Sequence, residues 1–99
     1  NMKVKVAPDV LKKLKKLDIR IRNSFRDKIL IFQKNPKDSS LSNHKLRDPY
    51  KGLRSINITN DYRAIYEEMR VEEDNVAHFS LLGTHDELYK KLYKKPLTD

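Results

Sequence analysis

The segment Gly83–Tyr89 carries the side chains best placed for chemistry. It follows an apolar run, Val76 to Leu82, which is typical of a buried strand. His85 and Tyr89 are one helical turn apart, so both can project from the same side of a strand-to-helix junction. An imidazole beside a phenol at the end of a strand suits acid–base chemistry or stacking on a polyanion.

The charge of the chain indicates a polyanionic or acidic partner. The 99 residues carry a net charge of +8, with a sequence pI of about 9.7. Residues 1–54 hold 16 Lys/Arg against 5 Asp/Glu, whereas residues 55–99 hold 6 against 9. A balance of +11 in the first half favours nucleic acid or an acidic protein as partner. For the helix lysines taken alone, a solvated surface is the simpler interpretation.

Composition excludes several classes of site. The chain has no cysteine, which excludes disulfides, thiol catalysis and cysteine zinc sites. Its histidines are not spaced as metal ligands, and two glycines do not make a phosphate-binding loop, so we expect neither metal nor cofactor. No apolar run approaches the ~18 residues that span a bilayer, and no signal-peptide pattern opens the chain. We therefore expect a cytoplasmic protein without membrane contact.

The first half of the chain predicts a strand followed by a helix hairpin. Residues 3–7 alternate polar and apolar, which predicts a short strand. Pro8 opens a first helix, and Asp18 caps a second that runs from Ile19 to Lys34. The link between the two helices is so short that they must lie side by side.

The second half predicts three strands and a last helix. Strands are expected over 53–58, 62–69 and 76–82, joined by tight turns as in an antiparallel meander. Thr84 and Glu87 have the spacing of a capping box, which predicts a helix from Asp86 that continues through Leu92 and ends at Pro96.

The predicted architecture is thus a single α+β domain over residues 1–99, with the order β-α-α-β-β-β-α. The helix hairpin packs on one face of a small antiparallel sheet, and we expect the other sheet face to be open.

Strand alternation brings further polar groups to that open face. It places Asn57 and Arg63 there, near the junction that carries His85. A guanidinium offers paired donors to phosphate oxygens, which suits nucleic-acid backbone. An ion pair of Arg63 with Asp61, Glu67 or an acid of the C-terminal tail is the more common alternative.

The connection over residues 35–51 is long and basic. Five of its side chains can contact phosphate: His44, Lys45, Arg47, Tyr50 and Lys51. Loops of this length are often functional, and a plain linker is an equally good interpretation from length alone. His78, in contrast, lies within the apolar run and is interpreted as a packed strand residue.

In order along the chain, five segments resemble the RelE/ParE toxin superfamily, the toxin halves of bacterial and archaeal type II toxin–antitoxin pairs. They cover residues 17–25, 35–36, 50–54, 61–66 and 83–89. The resemblance extends over nearly the whole chain and implies the element order derived above. The Gly-Thr-His segment followed by an aromatic residue is most similar to the YafQ-like mRNA interferase branch.

That resemblance implies catalytic roles for four residues. His85 is then the general acid, and His44, Asp61 and Arg63 occupy further catalytic positions. YafQ-like enzymes carry another histidine where this chain has Asn57. An amide cannot transfer the proton, so either His44 or Asp61 must serve as the base or the rate is low.

Substrate-binding roles are implied for four more positions. Tyr89 is the aromatic group that packs or stacks on RNA, and Lys51 and Arg54 match a basic patch for phosphates. Asn57 is the fourth, as a hydrogen-bonding group.

The implied function is that of a ribosome-dependent endoribonuclease. It cleaves mRNA without a metal, through acid–base attack of the RNA 2′-hydroxyl. The implied partners are mRNA on the ribosome and a cognate antitoxin, which we expect to be acidic and partly disordered because the first half of the chain is basic. Two alternatives remain from the sequence: a ParE-like toxin that inhibits DNA gyrase, and a non-catalytic RNA-binding domain.

Overall fold

A computed structural model of the chain describes residues 2–89 and shows two helices packed on one five-stranded sheet. The α+β class and the element order expected from the sequence are confirmed. The strands are β1 (Lys3–Val6), β2 (His44–Lys45), β3 (Arg54–Asn57), β4 (Tyr62–Val71) and β5 (Asp74–Thr84); the helices are α1 (Pro8–Lys16) and α2 (Ile19–Lys34). Residues 85–89 are helical as well, and the predicted continuation through Leu92 to Pro96 lies outside the described residues.

The strands lie in the order β1-β5-β4-β3-β2. Every neighbouring pair is antiparallel except β1 and β5, which run parallel, with Lys3 opposite Val76. This mixed edge differs from the uniformly antiparallel sheet expected for a meander. It arises because α1 and α2 together return the chain across the sheet, so β1 is added beside the last strand.

The two helices begin where the sequence places their first residues. Pro8 is the first residue of α1, and the Asp18 carboxylate accepts a hydrogen bond from the Arg20 N–H at 2.8 Å to cap α2. Both features satisfy the needs of a helix start, which are a fixed φ and a partner for an unpaired N–H. None of the helices within residues 2–89 is long and apolar enough to span a bilayer.

The main core lies between the helices and the sheet. Phe32 of α2 is fully buried and meets Tyr66 and Phe79 edge-on, with ring centroids 5.0 and 5.3 Å away. Edge-to-face contacts of this kind stabilise a core beyond the area that they bury. Ile56 and Ile58 close the same cluster from β3 and the turn that follows it.

The opposite sheet face is not open, and the sequence-based expectation was wrong on this point. Tyr50, Ile65 and Leu88 form a second buried cluster there, with Ile65 completely covered. The covering residues come from the 35–51 connection and the C-terminal helical turn. Their packing depends on contacts far apart in sequence, which local periodicity does not report.

The 35–51 connection is built into the fold. Leu41 is fully buried, and the Asn43 amide donates to the Tyr66 hydroxyl at 2.7 Å and to the Pro36 carbonyl at 2.9 Å. The segment also supplies β2, which extends the sheet by two residues next to β3. It is therefore an ordered part of the domain and not a plain linker.

Candidate functional site

A capping box fixes the helical turn that carries His85. The Thr84 N–H donates to the Glu87 carboxylate at 2.8 Å, and the Glu87 N–H donates to the Thr84 hydroxyl at 3.1 Å. The capping box expected from the sequence is therefore confirmed. Lys13 of α1 adds a third bond, from Nζ to Glu87 Oε1 at 3.2 Å, which ties the turn to the helix hairpin.

The same contacts favour glycine at position 83 and influence the ionisation of Glu87. A Cβ on Gly83 would lie 3.2 Å from Glu87 Oε1 and 3.3 Å from Lys13 Nζ, closer than side chains usually approach. The main-chain bond from Thr84, assisted by Lys13, holds the pKa of the Glu87 carboxyl below its ordinary value of 4.5. The carboxylate therefore stays ionised in the folded protein at neutral pH.

We expect Glu87→Ala to loosen the helical turn without unfolding the domain. Losing a capping partner costs about 1 kcal/mol, which corresponds to roughly fivefold faster amide exchange in residues 86–89. Lys12→Met, a change of an exposed lysine on α1, is the control and should leave that exchange unchanged.

This contribution has a defined pH dependence. Because the folded-state pKa is lowered, the stabilisation is present above pH 4.5 and is lost as the pH falls through the folded value. Hydrogen exchange measured between pH 3 and 7, corrected for intrinsic rates, should show this loss in the native chain and not in Glu87→Ala. Equal exchange in both proteins across the range would contradict the role of Glu87.

Tyr50, Tyr89 and His85 form a row of rings beside the helical turn. The rings of His85 and Tyr89 lie 4.6 Å apart at an angle of 39°, and Tyr50 meets Tyr89 edge-on at 5.5 Å. The Tyr50 hydroxyl donates to the Leu88 carbonyl at 2.6 Å, and its burial raises the pKa of this phenol, with Tyr89 adding to the effect. Tyr50, which the sequence suggested as a phosphate contact, is instead a buried support for Tyr89.

The β3–β4 turn lies against the first residue of this helical turn. The His85 N–H donates to the Asp61 carbonyl at 3.2 Å. Arg63 Nη1 donates to the carbonyls of Thr59, Asn60 and Tyr62 at 2.9, 3.1 and 3.1 Å. Arg63 thus holds the turn through main-chain carbonyls. Within residues 2–89 it makes no ion pair with Asp61 or Glu67.

Asn57, Arg63 and Gly83 stand in one row across three strands. Asn57 pairs with Arg63, and Arg63 pairs with Gly83. Residues opposite one another in a ladder lie on the same face of the sheet. The row ends at Gly83, which is two residues before His85. The structure therefore brings Asn57, Arg63 and Asp61 to the end of the sheet where His85 lies.

His44 lies near Tyr89, on the edge strand β2. It lies opposite Ser55 at the start of β2, exposed to solvent, with its Nδ1 2.9 Å from the Ser42 carbonyl. Together with Tyr89, Lys45 and Arg47 it lines a depression of about 290 Å³. Tyr89 thus contacts the His85 ring and also borders the His44 depression.

Lys51 and Arg54 line a neighbouring cleft of about 500 Å³. Lys45 and Leu46 form walls of both this cleft and the His44 depression. Arg54 also has a structural bond, because its Nε donates to the Asn43 side chain at 2.8 Å. The two cations therefore lie beside the His85–Tyr89 group and are not part of it.

Two supporting residues were not found from the sequence. Tyr50 supports Tyr89, and the signal that could have revealed it is an aromatic residue in an otherwise polar, basic segment, where burial is the usual fate of a large ring. Lys13 anchors Glu87, and no signal marks it among the four lysines of α1.

Comparison with known proteins agrees with the fold and the element order. Residues 4–89 match the model of the family described as the ParE toxin of the type II toxin–antitoxin system parDE. No curated protein matches the chain in sequence.

Among solved structures, three illustrate the similarity. The archaeal RelE–RelB complex from Pyrococcus horikoshii OT3 is 24% identical, with a TM-score of 0.68 over 84% of this chain and 93% of that one. A YoeB/ParE toxin from Agrobacterium tumefaciens is 18% identical, with a TM-score of 0.67 over 85% and 99% of the two chains. YafQ in the E. coli DinJ–YafQ toxin–antitoxin complex is 18% identical, with a TM-score of 0.59 over 89% and 97%.

These similarities define a small toxin fold of the RelE/ParE superfamily. The chain belongs to the ParE toxin family of type II toxin–antitoxin systems, since the family model covers most of its length. The structural neighbours include the YafQ-like branch that the Gly-Thr-His segment suggested. At these identities the neighbours show the shared fold, and the chemistry depends on the residues of this chain.

Proposed function

We propose that this toxin is an endoribonuclease that cleaves mRNA on the ribosome, in the cytoplasm, by acid–base chemistry without a metal. One observation carries the proposal: Tyr89 contacts the His85 ring and also borders the depression that His44 lines. Two imidazoles beside an aromatic ring supply a base, an acid and a stacking surface for a base of the RNA.

His44 is the proposed general base. A neutral imidazole that donates Nδ1–H to the Ser42 carbonyl leaves its Nε2 lone pair available to accept a proton. Of the two bases that the sequence left open, His44 has this hydrogen bond in its favour. The main-chain carbonyl of Asp61 accepts a hydrogen bond from the His85 N–H, which indicates that Asp61 positions His85. This role is separate from the one that its carboxylate could have.

The reaction balances with these two histidines. His44 takes the proton of the RNA 2′-hydroxyl, whose oxygen attacks the adjacent phosphorus. The bond from phosphorus to the 5′-oxygen breaks, and His85, in its protonated form, gives that oxygen a proton. The products are a 2′,3′-cyclic phosphate and a 5′-hydroxyl, and positioned acid–base groups of this kind contribute about 10²–10⁴-fold in rate.

Arg63, in the row of Asn57, Arg63 and Gly83 that ends near His85, is proposed to balance the negative charge on the phosphate. Arg63 holds the β3–β4 turn through Nη1, and its other guanidinium donors are the proposed contacts to the phosphate oxygens. Asn57 next to it offers a hydrogen bond but no proton transfer. Lys51 and Arg54, in the adjoining cleft, are proposed to hold phosphates farther along the RNA.

A cognate antitoxin is the second proposed partner. The similar RelE and YafQ chains are solved in complexes with RelB and DinJ. The excess of Lys and Arg in residues 1–54 of this chain suits an acidic, partly disordered segment of such an antitoxin.

Gyrase inhibition is the second candidate function, because the family model that matches the chain is the ParE model.

A single set of assays separates the two candidates. The purified chain is added to a translating extract with a defined mRNA, to the same mRNA without ribosomes, and to gyrase with relaxed plasmid. We expect cleavage of translated mRNA and normal supercoiling. Inhibited supercoiling with intact mRNA would replace the ribonuclease proposal with gyrase inhibition, and salt-sensitive RNA binding without cleavage would replace it with a binding role.

A further inference from the structure

Within residues 2–89, the far end of the β4–β5 hairpin has an edge that no other strand covers. β3 pairs with β4 only as far as the Arg54–Tyr66 pair, whereas β4 continues to Val71. All residues from Glu67 to Val71 are exposed, including Met69 and Val71, whose exposed fractions are 41% and 49%. Among the loop and turn hydrogen bonds of residues 2–89, none reaches this edge. A strand edge of this kind is a template for pairing with another strand.

The hairpin register determines which main-chain groups face outward. A two-residue turn, Glu72–Glu73, closes on the Val71–Asp74 pair, and Glu72 has the positive φ of 58° that such turns require. Hydrogen-bonded pairs alternate along an antiparallel ladder, so Met69 and Val71 bond towards β5. The N–H and C=O groups of Glu68 and Arg70 therefore point away from the sheet.

We propose that two copies of this chain pair through this edge, β4 against β4, antiparallel and centred on Met69. In a symmetric antiparallel pair, one residue faces its own copy across the twofold axis. The outward N–H and C=O groups of the two strands can bond when that central residue is Glu68, Met69 or Arg70. Centring on Glu68 or on Arg70 puts that charge opposite its own copy, which destabilises a sheet. When Met69 is central, the two methionines face each other. Glu68 of each copy then lies opposite Arg70 of the other copy, which gives two attractive pairs. The edge is self-complementary in this one register.

The adjoining cleft adds to the complementarity. Lys51 and Arg54 line it together with Glu68, which is itself on the free edge. In the proposed pairing, the acidic turn Glu72–Glu73 of one copy reaches the start of β3 in the other, where these cations lie. The rest of the molecule is strongly basic, so other self-contacts are disfavoured by repulsion. The pairing is independent of the ribonuclease proposal, and its test contains no RNA.

A single introduced cysteine tests the register. The chain has no cysteine, so a disulfide formed by Met69→Cys under mild oxidation must join two copies. Facing residues of a non-hydrogen-bonded pair have Cα atoms about 4.5 Å apart, within disulfide range. Val71→Cys is the matched control, because it is similarly exposed but would lie about 14 Å from its own copy at ~3.4 Å per residue. We expect Met69→Cys to cross-link at least tenfold faster, and equal rates would overturn the proposal.

A charge exchange tests the same register without a covalent bond. Sedimentation velocity over a range of concentrations should show a reversible dimer of the native chain. Arg70→Glu should weaken association about tenfold, since it converts two attractive cross-strand pairs into repulsive ones. The double variant Glu68→Arg/Arg70→Glu should restore association, and both variants equally lack the Arg70–Asn75 bond within the hairpin.

Lys12→Glu makes the same change of charge on α1 and should leave the dimer intact. A native chain that stays monomeric at all concentrations, or a double variant as weak as the single one, would overturn the pairing. Association that appears only when a different polypeptide is added would also overturn it.

Discussion

Replacing His85 with alanine is expected to lower the rate of mRNA cleavage by about 10²–10⁴-fold, the usual contribution of a positioned general acid. The imidazole lies 4.6 Å from the Tyr89 ring, and its main-chain N–H is bonded to the Asp61 carbonyl, a bond that alanine keeps. The loss should therefore come from the missing acid and not from a displaced turn. Cleavage is measured as the rate at which full-length translated mRNA disappears, at equal concentrations of folded protein.

His78→Ala is the matched control for this experiment. His78 is on β5, opposite Glu67 on the hairpin and about 17 Å along the strand from Gly83, at ~3.4 Å per residue. Cleavage by this variant should stay within about twofold of the native rate. A His85→Ala protein as active as His78→Ala would remove His85 from the reaction.

Replacing Phe32 with alanine is expected to destabilise the protein by about 3–5 kcal/mol. Phe32 is fully buried and makes edge contacts with both Tyr66 and Phe79, so the truncation leaves a cavity at the centre of the main core. Small domains have only about 5–15 kcal/mol of total stability. A large fraction of the variant molecules should therefore be unfolded well below the native melting temperature. Denaturant unfolding followed by far-UV circular dichroism measures the free energy of unfolding.

Leu30→Ala provides the comparison on the same helix. The Leu30 side chain is 54% exposed, and alanine is the best helix former, so the free energy of unfolding should change by less than about 1 kcal/mol. If Phe32→Ala were no more destabilising than Leu30→Ala, the packing of α2 on the sheet would be incorrect.

The fold was largely predictable because its signals are local. The limits of α2 follow from Asp18, which caps it, and from Asn35-Pro36, which ends it. The three central strands follow from alternation and tight turns. β2 was missed because a two-residue strand has no period to detect, and the parallel β1–β5 pairing depends on how the helix hairpin returns the chain.

The site was predictable only where spacing along one element decides the geometry. One helical turn between His85 and Tyr89 predicts their contact, and the capping box follows from the spacing of Thr84 and Glu87. The support from Tyr50 depends on contacts that cross the chain, so no local pattern contains it. The resemblance assigns Lys51 and Arg54 to a basic patch for phosphates, and the structure places both in the cleft next to the His44 depression.

The ends of the RNA fragments test the central proposal most directly. A defined mRNA is translated in an extract with the native toxin or with His85→Ala, and both termini at each break are identified chemically. We predict a 2′,3′-cyclic phosphate and a 5′-hydroxyl at breaks that appear only with the native chain and only in translated mRNA. Breaks with 5′-phosphates, or intact mRNA beside inhibited gyrase, would contradict an acid–base ribonuclease built from His44 and His85.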